Sequence, residues 1–327
     1  MKELIKKLTI LNGVSGNENK IAKAISEMIV SNVDEIKQDS MGNLICVKKG
    51  NGKRIMLAAH MDEVGIIVTH IEENGFLRFS ALGGINHFYS LYQKVTFDNG
   101  ITGVIGYEEN ISEIKNIKLA NMYVDIGCKS YEEAIGKVKI GDSAAFTGDF
   151  VCDGNRIISK ALDDRCGCAI LIELSKRLKN CDKEIIYTFT TQEELGLRGA
   201  KTAGYSINPD VAFVLDVTAP GDTPKSKPSP IKCGAGPIIK IMDNASIINP
   251  KLKDLIIETA ENEGILYQLK VSNIGGTDAG AISLSRDGIP TASLAIPCRY
   301  LHSPVETIDI QDVDNMIKLV ESVLNKI

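Results

Sequence analysis

The sequence has no tryptophan, few histidines and no excess of positive charge. Its apolar runs fall short of the ~20 residues that a membrane-spanning helix needs, so no membrane segment is predicted. With 37 basic and 42 acidic residues, the net charge is −5. This balance argues against a nucleic-acid or anionic-membrane partner. The start, MKELIKKLTIL, lacks the apolar core of a signal peptide, and we therefore expect a cytoplasmic protein.

Paired metal-ligand cysteines are also missing. No Cys-x-x-Cys pair is present, and the spacing of Cys166 and Cys168 is too close for a structural zinc pair. In a reducing compartment we expect small buried thiols. This expectation applies to all eight cysteines, at positions 46, 128, 152, 166, 168, 181, 233 and 298.

Hydrophobic periodicity divides the chain of 327 residues into two kinds of sequence. Residues 2–11 and 17–31 predict amphipathic helices, and two strands follow. From about 64 to 151, short β-branched segments separated by Gly or Asn turns predict a small barrel or sandwich. After about 157, strands alternate with helices, which predicts a mostly parallel sheet covered on both faces. Both ends of the chain would thus form one α/β domain, interrupted by a β module.

Polar side chains follow five of the predicted strands of the α/β domain. The carboxyl ends of such strands are where ligands gather in open α/β sheets. These ends, in chain order, carry His60 and Asp62, then Asp163 and Asp164, then Glu193 and Glu194, then Asp216, then His302. We expect these groups to meet at one edge of the sheet.

Burying so many carboxylates together is costly unless a cation compensates their charge. Two imidazoles with carboxylates suit zinc, cobalt or manganese better than calcium or magnesium. The number of groups fits two ions that share one Asp, with a hydroxide between them. Asp62 and one of the adjacent pair Glu193 and Glu194 remain, and a spare carboxylate beside a metal-bound water acts as a general base. Spacing does not decide between adjacent acids.

Six motifs together resemble, in order and spacing, those of the glutamyl-aminopeptidase-like family of dinuclear metallopeptidases, which includes the tetrahedral and deblocking aminopeptidases. The motifs are AAHMDEVG, SKALDDRCG, TTQEELGLRGA, LDVT, GGTDAG and IPCRYLHSPVE. The resemblance covers essentially the whole chain. It implies an aminopeptidase that removes N-terminal residues from short peptides with two divalent ions, Zn²⁺ or Co²⁺ above all and Mn²⁺ as a further option.

The resemblance also assigns roles to single residues. Asp163 would bridge the two ions, and its peptide bond to Asp164 would be cis. Glu193 would be the general base, and Asp62 would orient His60 or tune the base. Asp278 of GGTDAG would hold the α-amino group of the substrate or a ligand histidine. The metal ligands implied by the resemblance are His60, Asp163, Glu194, Asp216 and His302.

The fold implied is a peptidase domain with a central mixed sheet covered by helices, from residues 1–65 and 152–327. A β-barrel-like dimerisation domain at 66–151 would interrupt it. Relatives assemble from dimers into twelve-subunit tetrahedral shells, so self-association is expected.

Several alternatives remain open. His70 and His87 lie in the β module and are expected to pack there, although His87 belongs to a Gly-rich loop that could line a substrate entrance. Arg299 would either organise the acids around His302 or lie on the surface. Paired acids could instead cleave a glycosidic bond, since relatives have carried a cellulase label, although such a site needs no imidazoles. A catalytically silent assembly subunit of the same fold is the third hypothesis.

Overall fold

The computed structural model describes residues 1–111, 113–178, 182–226 and 229–327. The helices are α1 Lys2–Thr9, α2 Asn19–Ile29, α3 His87–Ser90, α4 Tyr131–Ile135, α5 Leu162–Arg177, α6 Arg198–Ile207, α7 Pro250–Glu263, α8 Asp278–Ser283 and α9 Ile310–Lys326. The strands are β1 Glu35–Gln38, β2 Leu44–Lys48, β3 Arg54–His60, β4 Gly65–Ile71, β5 Leu77–Leu82, β6 Lys94–Phe97, β7 Thr102–Tyr107, β8 Met122–Asp125, β9 Ser143–Phe146, β10 Val151–Asp153, β11 Arg156–Ser159, β12 Glu184–Thr190, β13 Val211–Thr218, β14 Ile238–Met242, β15 Gln268–Val271, β16 Thr291–Pro297 and β17 Glu306–Asp309.

Within the described residues, eight strands form a mixed central sheet in the order β1-β2-β12-β3-β13-β16-β14-β15. The inner strands β12, β3, β13 and β16 are parallel. Both flanks bring in antiparallel pairs, at β2 and at β14. The sheet is therefore less uniformly parallel than the helix–strand alternation predicts. At one edge, the short β1–β2 connection can join only antiparallel neighbours.

Apolar side chains alternate between the two faces of the inner strands. On β3, Leu57 and Ala59 pack in the large core beneath α1, α2, α5, α7 and α9, whereas Met56 and Ala58 pack against α6 and α8. A strand buried on both faces reads as a continuous apolar run, which explains why β3 could be predicted from sequence.

A closed barrel interrupts this domain. Counting only the described part of the chain, it has six strands in the order β4-β5-β8-β7-β6-β9, with a hydrophobic core of its own. The predicted combination of a mixed sheet covered by helices and an inserted barrel-like module is confirmed. The domain boundaries and the role in dimerisation stay predictions.

Besides the short elements β1, α3 and α4, three features were missed by the sequence analysis. The first is the helix α6, which contains two glycines and a serine, residues that lower helix propensity. The strand β14 is only five residues long. The third is a small antiparallel sheet of β10, β11 and β17, whose members lie far apart in the chain.

Two cysteines depart from the expectation of burial. Cys152 is exposed and Cys233 is only half-buried, whereas Cys46, Cys128, Cys166, Cys168 and Cys298 are buried. Cys181 lies outside the described residues. None of the helices in the described ranges is long and apolar enough to cross a bilayer.

Candidate metal centre

The parallel strands bring the predicted site residues to one edge of the sheet. His60 ends β3 opposite Thr190 of β12, and Asp216 lies near the end of β13. His302 follows β16, and Asp163 lies at the start of α5. The segments of His60, Asp216 and His302 end at the same edge because β3, β13 and β16 share one direction. Asp163 instead follows β11, which belongs to the small antiparallel sheet and not, as expected from sequence, to the central sheet.

Within the described residues, two clusters of potential ligands share Asp163. One cluster is His60, Asp163 and Asp216, and the other is Asp163, Glu194 and His302; in each, ligand atoms lie within 4.8 Å of one another. His60 Nε2 is 3.0 Å from Asp163 Oδ1 and 3.9 Å from Asp216 Oδ1. His302 Nε2 is 3.1 Å from Glu194 Oε1 and 3.5 Å from Asp163 Oδ2. The two oxygens of Asp163 thus face different clusters.

Both imidazoles are oriented by backbone carbonyls. Nδ1 of His60 donates to Asp62 O at 3.1 Å, and Nδ1 of His302 donates to Gly84 O at 2.8 Å. A carbonyl oxygen only accepts, so each Nδ1 carries a proton and each Nε2 faces the acids. This is the arrangement of metal-ligating histidines, whose second nitrogen donates to a carbonyl or carboxylate.

The Gly-rich loop of the β module therefore reaches the site, but through Gly84 and not through His87. A Cβ at residue 84 would lie 3.0 Å from His302 Nδ1, so glycine permits the close approach. His87 is half-buried beside Phe88, with ring centroids 4.1 Å apart. His70 is exposed on β4.

The side chains of the adjacent acids Asp163 and Asp164 point in different directions. The carboxylate of Asp164 accepts from the backbone N–H groups of His60 at 3.2 Å and Gly167 at 3.0 Å. Asp164 thus holds backbone, whereas Asp163 faces both histidines. The peptide bond between them is cis.

Asp62 lies beneath the neighbouring acidic loop and is fully buried. Its oxygens accept from Ser15 Oγ at 2.6 Å and from the backbone N–H groups of Glu193 at 3.0 Å and Glu194 at 3.2 Å. Its Oδ1 is also 3.5 Å from His60 Nδ1. One carboxylate therefore orients a histidine and the backbone of both glutamates.

A cavity of about 410 Å³ opens onto this edge of the sheet, and its wall contains members of both clusters together with Glu193. Two lysines, Lys240 and Lys270, line the same cavity. Lys270 Nζ donates to Thr218 Oγ1 at 2.7 Å and Ala219 O at 2.9 Å. Burial lowers the pKa of Lys270 to about 8, and Lys240 adds to the shift.

The electrostatics of the clusters favour bound positive charge. Burial raises the pKa of Asp216 to about 6 and also raises the pKa values of Glu193 and Glu194. Burial disfavours a charged imidazole, yet hydrogen bonds to Asp163 and Glu194 raise the pKa of His302 to about 12. The same hydrogen bonding outweighs burial at Asp163 and lowers its pKa. A cation between these acids would relieve the repulsion, and the N/O ligand set suits a transition metal.

Asp278 is buried and lies outside the cavity wall. Its Oδ2 accepts from Thr190 Oγ1 at 2.5 Å, while Oδ1 has no hydrogen-bond partner in the described part of the chain. Burial raises the pKa of Asp278 to about 7. This placement gives no support to direct contact with a substrate amine. Arg299 forms a two-pronged ion pair with Asp222, at 2.8 and 2.7 Å, and does not join the acids around His302.

Two buried glutamates beside the site were missed. Glu306 accepts from the backbone N–H groups of Asp163 at 3.0 Å and His302 at 2.8 Å. Glu63 pairs with Lys160 at 2.7 Å and with Arg165 at 3.4 Å. Both residues lie in the motifs quoted above, but a backbone-directed carboxylate has no sequence signature of its own.

Comparison with known proteins identifies the class of this molecule. The model of the M42 glutamyl aminopeptidase family matches residues 42–319, and the chain belongs to this family. It is therefore a peptide hydrolase, and its family consists of metallopeptidases.

Individual relatives cover nearly the full chain. A "Putative aminopeptidase" of Acetivibrio thermocellus is 52% identical over 98% of this chain and 97% of its own length. The lysyl aminopeptidase of Pyrococcus furiosus is 36% identical over 99% and 97% of the two chains.

Solved structures agree in fold. An aminopeptidase from Desulfurococcus kamchatkensis has a TM-score of 0.95 at 38% identity, covering 99% of this chain and 94% of its own. The TET1 peptidase of Pyrococcus horikoshii, described as assembling into a tetrahedron or a large octahedral shell, has a TM-score of 0.89 at 36% identity, covering 98% of each chain. A Thermotoga maritima structure named as an endoglucanase has a TM-score of 0.83 at 31% identity, again covering 98% of each.

Proposed function

We propose that this chain removes N-terminal residues from short peptides with two divalent metal ions. The observation that carries the proposal is the sharing of Asp163 between two clusters whose histidines both turn Nε2 toward the acids. His60 and Asp216 would complete one metal site, and Glu194 and His302 the other. Zn²⁺, Co²⁺ or Mn²⁺ would suit these ligands. Bound ions would supply a bridging hydroxide nucleophile and polarise the scissile carbonyl.

The residues of the chain would handle the proton. Glu193 lines the cavity without belonging to either cluster, so we assign it as the general base that takes a proton from the nucleophile and gives it to the leaving amine. Asp62 would keep that glutamate in place through the backbone N–H groups of residues 193 and 194. Asp278 remains a candidate only for an indirect role, through Thr190.

The decisive experiment combines metal removal with one substitution. Dialysis against a chelator is expected to abolish hydrolysis of aminoacyl anilides, and Co²⁺ or Zn²⁺ is expected to restore it. Glu193→Gln is expected to lower kcat by about 10²–10⁴-fold, as for loss of a general base, while metal still binds. Full turnover in the stripped protein would refute the proposal.

The endoglucanase name of one relative makes a glycoside hydrolase the second hypothesis. A metal-independent pair of carboxyl groups has no need for two oriented imidazoles, and this favours the peptidase. Cellulose hydrolysis that survives Glu193→Gln would reverse the preference. Wild-type protein that binds metal but hydrolyses neither substrate class would instead favour a silent assembly subunit.

We further propose a cytoplasmic homo-oligomer, with residues 66–151 as the dimerisation domain of a catalytic domain formed by 1–65 and 152–327. The tetrahedral shell described for the P. horikoshii relative supports a dodecamer built from six dimers. Analytical ultracentrifugation distinguishes a dodecamer from a dimer by mass, and deletion of the barrel should abolish both.

A further inference from the structure

The carboxylate of Glu306 joins the two chain segments that supply Asp163 and His302. Glu306 is only 2% exposed. Its Oε2 accepts from Asp163 N at 3.0 Å, and its Oε1 accepts from His302 N at 2.8 Å. Each oxygen thus accepts one backbone N–H group, and the two residues that donate them, Asp163 and His302, belong to the same candidate metal cluster.

The backbone of Glu306 is itself held by the small sheet. Glu306 pairs with Ser159 of β11, the strand that leads into Asp163. Thr307 pairs with Arg299, on the segment that leads to His302. Glu306 therefore projects from a strand tied to both segments, and a carboxylate on a regular element positions a site more accurately than one on a loop.

His302 needs such a restraint. Its φ of 60° lies in the left-handed region, which is strained for a residue that carries a Cβ. Two hydrogen bonds restrain this residue. Its backbone N–H donates to Glu306, and its ring Nδ1–H donates to the carbonyl of Gly84.

We propose that Glu306 is a positioning residue of the metal centre, which holds the backbone of Asp163 and His302 at the separation at which their side chains bind one ion together with Glu194. This inference rests on the proposed function, because it requires metal in these clusters. It concerns the site that contains His302 more than the site that contains His60, since only the former has two of its ligands held by Glu306.

The test is a calorimetric titration of chelator-stripped protein with Co²⁺, which measures the affinity of each metal site. Wild-type protein should bind in two phases, and His302→Ala and His60→Ala identify which phase belongs to which cluster. Glu306→Gln places an amide N–H₂ against a backbone N–H, so the phase lost in His302→Ala should weaken by about 10–100-fold, the usual effect of removing a supporting hydrogen bond. The other phase should change less.

Asp312→Asn is the matched control. The buried carboxylate of Asp312 also accepts two backbone N–H groups, from Gly234 and Gly236, both at 2.7 Å, but it touches no candidate ligand. We expect unchanged Co²⁺ affinities in this variant. If Glu306→Gln does not fold, Glu306→Asp keeps the charge with a shorter reach and should show the same selective loss to a smaller degree.

The outcomes separate the two proposals. Wild-type protein without Co²⁺ binding overturns the proposed function and this inference with it. The inference alone is overturned if both Co²⁺-binding phases keep their wild-type affinities in the Glu306 variants. It is also overturned if both phases weaken to the same extent in the Glu306 variants and in Asp312→Asn. Selective loss of the His302 phase supports it.

Discussion

Lys240 places a cationic side chain in the wall of the cavity. It is 8% exposed and lines the cavity wall, and no hydrogen-bond or ion-pair partner of its ammonium is found among the described residues. Asp243, in the same wall, accepts from Ala245 N and Ser246 N through Oδ1, and its buried Oδ2 has no hydrogen-bond partner in the described part of the chain. The ammonium of Lys240 thus acts on the acids of the wall only through its charge, which partly offsets the rise that burial causes in the pKa of Asp216.

This arrangement predicts that Lys240 favours substrates with an acidic N-terminal side chain. Lys240→Met should lower the ratio of kcat/KM for glutamyl anilide to that for leucyl anilide by about 30-fold or more, because loss of one partner of a buried ion pair costs about 2 kcal/mol or more. Lys201→Met, at an exposed position of α6, is the control. An unchanged ratio would exclude Lys240 as a determinant of specificity.

Asp62 leads to a second prediction at the scale of single residues. In Asp62→Asn, an N–H₂ group replaces one of the two accepting oxygens. It would face either Glu193 N or the pair of donors Ser15 Oγ and Glu194 N. Because two N–H donors cannot bond to each other, the loop that carries the glutamates should shift. We expect kcat to fall by about 10²-fold, the effect of misplacing a catalytic group by about 1 Å, with both metal sites retained. Loss of metal together with activity would show that Asp62 acts mainly through His60.

At the scale of elements, Glu18 connects the start of α2 to the loop that carries the glutamates. Its Oε1 accepts from Gly16 N at 2.8 Å and from Gln192 N at 3.1 Å. Burial, followed by the charge of Asp62, raises the pKa of Glu18 to about 7 from 4.5. The folded protein thus binds this proton more tightly than the unfolded chain, and the contribution of Glu18 to stability falls as the pH rises from about 4.5 to about 7.

Glu18→Gln should remove this pH dependence, because its amide oxygen can still accept both N–H groups while carrying no charge. Urea unfolding between pH 5 and pH 8 measures the effect: the variant should gain stability relative to the wild type as the pH rises. Parallel wild-type and variant curves would show that Glu18 does not titrate in this range.

At the scale of the whole molecule, bound ions should link the segments that the two clusters draw together from distant parts of the chain. An ion at 100 times its dissociation constant stabilises the folded state by about 2.7 kcal/mol per site. Denaturant unfolding with and without Zn²⁺ should show this gain in the wild type and its absence in a His60→Ala, His302→Ala double variant. Equal gains in both proteins would place the stabilising ions elsewhere.

The sequence by itself determined the kinds of element and the chemistry that they carry. β3 and the other inner strands could be predicted because both of their faces are buried, which makes each strand a continuous apolar run. The polar residues that end these runs, such as His60, Asp62 and Asp216, could be identified in the same way. The barrel could be predicted from its short segments rich in β-branched residues. These signals are local, since they depend on the order of apolar and polar residues within a single strand.

Only the tertiary structure decided direction and distance. Asp163 and Asp164 have the same local signature, and the packing of α5 against β3 turns one toward the histidines and the other toward backbone. The contact of Gly84 with His302 and the hold of Glu306 on two segments join residues far apart in the chain. Such contacts follow from how the barrel and the small sheet pack against the central sheet, and that packing is a long-range property that no single stretch of sequence contains.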